Sequence, residues 1–108
     1  MSSTFKNSVV PNIGTSLTTV YTAPALTATT VIGLSLANTT VNTIYPSVKV
    51  TKGATVAFVV KNVPIPSGSS LVIFGGEQKL VLVAGDVISV ISDTATSVDA
   101  VLSYLEVA

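Results

Sequence analysis

The chain has 108 residues, of which 48% are hydrophobic and only 9% charged, and its five basic and five acidic residues cancel at neutral pH. That length fits one domain, and a charged fraction far below the roughly 25% of ordinary soluble domains leaves a surface of Thr, Ser, Asn and apolar side chains, which invites association. Zero net charge removes the attraction that nucleic acid or an anionic membrane surface needs, and the absence of Cys and His removes disulfides, thiolate or imidazole metal sites, the commonest general base and the commonest strong nucleophile.

Residues 1–15 read as an N-terminal arm, with residues 16–108 as the folded domain. The arm is polar, and Phe5, Val9 and Val10 stand in it without strand alternation, ahead of Pro11 and Gly14. They have no evident place in the domain's own core, so these three are the candidate partner-binding residues. No uninterrupted apolar stretch follows Lys6, so no Sec-type signal is expected. From Asn7 to Val48 there is no charge, yet Pro11, Gly14, Pro24, Gly33 and Pro46 break the segment and no run of about 18 apolar residues occurs. A transmembrane helix is therefore not expected.

Beyond the arm, short β-branched runs alternate with turn clusters at the spacing of an all-β sandwich or barrel. Strands are expected at Leu17–Thr22, Thr29–Ala37, Ile44–Val50, Thr55–Val63, Ser70–Phe74, Lys79–Val83, Asp86–Ile91 and Ser97–Val107. The fold class is all-β: an antiparallel β-sandwich, jelly-roll or Ig-like, of about eight strands. Pro24 should end the first strand, and Pro46 should sit at an edge or an irregular start. In Thr29–Ala37, strict alternation puts Thr30, Ile32, Leu34 and Leu36 on one face and the smaller Val31, Gly33, Ser35 and Ala37 on the other. In "ATVAFVVKN" both faces are apolar, which marks a central strand or one lying under another subunit. "VPIPSGSS" reads as a rigid turn, Gly75–Gly76 as a tight hairpin, and "AGD" at Ala84–Asp86 as another.

Candidate chemistry is sparse. Glu77 and Asp86 have the look of a glycosidase carboxylate pair, but each lies next to a glycine, which is ordinary turn chemistry. Asp86, Asp93 and Asp99 are oxygen ligands of the kind that hold calcium, at spacings that match no EF-hand pattern. "FGGEQK" precedes a strand-like run rather than a helix and forms no phosphate cradle. Tyr21, Tyr45 and Tyr104 would make a sugar-stacking platform if exposed together, and core-edge residues otherwise. No catalytic, cofactor-binding or metal-ligating residue is assigned, and no enzyme activity is expected.

The elements "TTVYTAPA" (Thr18–Ala25), "LSLANTT" (Leu34–Thr40), "IPSGSSLVIFGG" (Ile65–Gly76), "LVAGDVISVISD" (Leu82–Asp93) and "YLEV" (Tyr104–Val107) occur in an order that resembles small β-sandwich virion proteins of tailed bacteriophages, cyanophages included. The resemblance implies a non-enzymatic homo-oligomer bound to other virion proteins: a capsid decoration protein, or a neck, tail or fibre component. A carbohydrate-binding module is the alternative. One position departs from the group, which often has glycine after "TAPA", where this chain has Leu26.

Overall fold

The computed structural model describes residues 2–75 and 79–108. Among them are nine strands and no helix: β1 (Ser3–Ile13), β2 (Thr18–Thr22), β3 (Ala28–Asn38), β4 (Ser47–Lys52), β5 (Thr55–Val60), β6 (Ser70–Phe74), β7 (Leu80–Leu82), β8 (Val87–Ile91) and β9 (Val98–Val107). One sheet has the order β1-β9-β3-β6 with β7 also paired to β3, and the other has the order β2-β8-β4-β5. Every pairing is antiparallel. The fold is thus the expected β-sandwich, with Val31, Leu34, Leu36 and Leu102 of the first sheet buried with Val48 and Ile88 of the second. Burial of these branched side chains, at roughly 25 cal/mol per Å² of apolar surface, is what holds the two layers together.

All eight expected strands are present, with ends moved by up to a few residues. Ile44 falls outside β4 and forms an isolated bridge with Ile65, the two exchanging backbone hydrogen bonds at 3.1 and 2.9 Å. Both are fully buried, so this bridge pins the proline-containing loops over one end of the core. Pro46 sits just before β4, where its missing N–H disturbs no ladder.

The ninth strand is the segment read from sequence as an arm. β1 pairs with β9 from Ser3↔Val107 to Val10↔Ala100, and Ser2 and Ala108 exchange two further backbone bonds at 2.9 Å. An edge strand can be stable through one ladder alone, and its side chains need not show a core-facing pattern. Pro11 lies where the register shifts between Val10 and Ile13, with Asn12 in the left-handed region at φ 59°, so the proline costs no central hydrogen bond. Ile13 is buried and Val10 packs partly against the core, contrary to the expectation that Val10 has no place there.

Four other expectations change. In β3 the register shifts between Val31 and Gly33, so one extra residue reverses the alternation: Thr29 and Val31 point inward before the shift, Leu34 and Leu36 after it. β5 pairs only with β4 and is an exposed edge strand rather than a central one. β6 and β7 do not form a hairpin with each other; both run along β3, β6 against Leu34–Ala37 and β7 against Thr29–Val31. Of the glycines expected to turn that hairpin, Gly76 lies outside the described residues. The "AGD" turn is present, with Gly85 at φ 88°, but it carries the chain from one sheet to the other.

Candidate interaction surface

The outer face of the five-stranded sheet is built from strand positions that alternate with the core. The ladder registers align Phe5, Leu105, Thr30 and Val81 in one row across β1, β9, β3 and β7. A second row aligns Val9, Val101, Ser35 and Val72 across β1, β9, β3 and β6. Between the rows run Asn7, Ser103 and Gly33, so two apolar ridges flank a trough of small or polar residues. Phe5, Val9, Val72 and Val81 are each more than 60% exposed, and Val101, on the central β9, is 42% exposed. Among outward-facing strand residues of this sheet the single charge is Asp99, at one end, where it accepts the Asn12 backbone N–H at 3.0 Å.

Phe5 and Val9 therefore lie on one exposed surface, in different ridges, whereas Val10 points the other way. Sequence reasoning missed the surface as a whole. Its trace is the alternation Val101, Ser103, Leu105, Val107 in β9, of which three are apolar although the opposite parity, Leu102 and Tyr104, already supplies the core.

The opposite outer face has another character. Its rows are Thr19, Ser89, Lys49 and Phe58, then Thr22, Val87, Thr51 and Val56. The ammonium groups of Lys49 and Lys61 stand 5.0 and 5.1 Å from the Phe58 ring centroid, which covers the aromatic edge of this face with positive charge. That face is hydroxyl-rich and cationic. Its most exposed apolar strand residues are Val56 and Phe58 of β5.

The titratable residues are occupied by structure. Asp86 accepts the Val83 backbone N–H at 3.0 Å and the Lys52 ammonium at 3.3 Å, so it closes the turn before β8. Glu77, its expected counterpart, lies outside the described residues. Asp93 accepts the Tyr45 N–H at 3.0 Å and the Thr94 hydroxyl at 3.0 Å. Among the described residues no three acids converge on one point.

The tyrosines do not share a surface. Tyr21 and Tyr104 are buried with ring centroids 4.2 Å apart, while Tyr45 is half-exposed elsewhere. The Tyr21 hydroxyl donates to Glu106 Oε2 at 2.6 Å and lies 2.8 Å from Thr29 Oγ1, and Lys6 bridges to Glu106 Oε1 at 2.8 Å. The Lys6 bond foremost, then the Tyr21 bond, hold the Glu106 carboxyl below its ordinary range. Burial foremost, then the bond to Glu106, push the Tyr21 hydroxyl up to about 12. This network joins β2 of one sheet to β1, β3 and β9 of the other, which makes it a structural clip.

The class this architecture defines is the two-sheet antiparallel sandwich with one outer face whose strand residues form two apolar rows. No protein-family model and no curated protein matches the chain. Among solved structures, it is similar to a subunit from work entitled "Bacillus endospore appendages form a novel family of disulfide-linked pili", with TM-score 0.58 and 11% identity over 97% of this chain and 87% of that one. That likeness shows the fold. A pentameric capsid protein isolated from metagenomic phage sequences aligns in two structures at TM-score 0.40 and 20% identity, over 94% of this chain. The chain spans 63% and 58% of those two structures.

Proposed function

We propose that the protein is a structural subunit of a phage particle, built in by contacts through its sheet surfaces, with capsid decoration as its specific role. The observation that carries this is the placement of exposed apolar side chains on more than one side of a small sandwich. Phe5, Val9, Val72, Val81 and Val101 lie on the outer face of the five-stranded sheet, and Val56 and Phe58 on the far edge of the other sheet. Monomeric soluble proteins rarely leave such patches bare, and a subunit in a lattice needs contacts in more than one direction. The sequence resemblance to small virion sandwiches points the same way. The appendage subunit of similar fold belongs to disulfide-linked pili, but this chain has no cysteine, so its own contacts would be noncovalent.

Mass spectrometry of purified particles tests the reading. The chain should be present at hundreds of copies for decoration, whereas a dozen or fewer would move it to the neck or tail. Absence from mature particles would overturn a virion role. The carbohydrate-binding alternative has lost its platform, since two of its three tyrosines are in the core.

A further inference from the structure

We infer that the outer face of the five-stranded sheet binds the same face of a second copy of this chain, about a two-fold axis in the interface and perpendicular to the strands. The inference rests on the reading that the exposed apolar surfaces are subunit contacts, and it assigns one of them its occupant.

Three features select a second copy. The first is relief. The ridges through Leu105 and Val101 are four residues apart on β9, roughly 13 Å at the rise of a strand, with the Asn7, Ser103 and Gly33 trough midway. A ridge of one copy fits the trough of another when two such sheets stack about 10 Å apart with the modest rotation that sheet twist imposes.

The second feature is charge. An isologous contact brings every residue of a patch against that same patch, so any cluster of one sign repels itself. Among the strand residues of this face both ridges are uncharged, and the perpendicular axis sends the two Asp99 carboxylates to opposite ends. The outer face of the other sheet fails this condition, because Lys49 and Lys61 would meet their own copies.

The third is area. Four strands abreast at about 4.8 Å, along the ten residues of β9, span roughly 600 Å², the scale of one side of the smallest stable interfaces.

The test is sedimentation equilibrium on the intact chain and on two variants, with circular dichroism to verify the fold. The wild-type chain should sediment at twice its 11.0 kDa mass. Val101→Lys places an ammonium on the central strand of the face, and the two-fold axis counts it twice. At tenfold or more per site, dissociation should strengthen at least about a hundredfold. Thr51→Lys, on the other sheet's outer face, should leave the dimer unchanged. A wild-type monomer at millimolar concentration, a folded Val101→Lys dimer of unchanged affinity, or dissociation by Thr51→Lys would each overturn the assignment. Should Val101→Lys lose its fold, Val72→Lys, on an exposed edge position of the same ridge, decides by the same criterion. A dimer that forms while the chain is missing from particles would refute the virion role and leave this inference standing.

Discussion

Leu26 is a residue at which the chain's own stability is directly improvable. It occupies the left-handed region at φ 59° in the turn between β2 and β3, and it is 93% exposed. A side chain with a Cβ loses about 1–2 kcal/mol in that conformation, and a nearly bare leucine regains little of this by packing. Glycine escapes the clash, at the expense of about 0.4–1 kcal/mol of extra freedom in the unfolded chain. Leu26→Gly should therefore stabilise by about 0.5–1 kcal/mol, which for a domain of this size raises the melting temperature by roughly 2–8 °C. The assay is thermal unfolding followed by circular dichroism at matched protein concentration, so that association contributes equally. Leu26→Ala is the control: it keeps the strained conformation and should stay within about 0.5 kcal/mol of wild type. A Leu26→Gly protein that melts no higher than wild type, or an alanine variant that gains as much, would refute the strain argument. Glycine is also what the resembling virion sandwiches often carry after "TAPA".

Tyr21→Phe removes the hydroxyl between Glu106 and Thr29 and should destabilise by about 1–3 kcal/mol in denaturant titration, because buried acceptors lose their donor. Folding lowers the Glu106 pKa, so that residue's contribution is complete above the ordinary carboxylate range and disappears as pH falls through the folded value; Glu106→Gln should flatten the acid limb of the stability profile. At the other extreme, folding raises the Tyr21 pKa from 10.0 to about 12, so its contribution is lost as pH rises through that window, and tyrosinate absorbance should show a component titrating near the upper value that Tyr21→Phe abolishes. Deleting residues 2–10 strips β1 from β9 and should lower the melting temperature by at least about 5 °C; an unchanged value would mean that the strand contributes nothing to the isolated domain.

How far the sequence predicts this structure depends on what each strand faces. Strands β2, β3, β4, β8 and β9 have buried branched residues flanked by turn residues, and their positions were legible. β1 was not, because its alternation reads Phe5, Asn7, Val9 against Lys6, Ser8, Val10, and neither parity is wholly apolar. Its inward Lys6 makes sense only once Glu106 is brought beside it by the β1–β9 register, a contact 100 residues distant in sequence that no local pattern encodes. The same limit applies to the face of β3, where the shift after Val31 reverses which residues are buried. Phe5 and Val9 were legible as residues lacking a core, but not the surface they share with Val72, Val81 and Val101, which comes from four strands scattered along the chain.

The central claim is that the outer face of the five-stranded sheet is covered in the assembled particle. Side-chain radical footprinting, read by mass spectrometry on purified particles and on the dissociated chain, addresses it most directly. Phe5, Val9, Val72 and Val101 should label readily when the chain is free and be strongly protected in the particle, while Thr19 and Thr51 on the other sheet label less selectively. Equal labelling of the four residues in both states would contradict the claim.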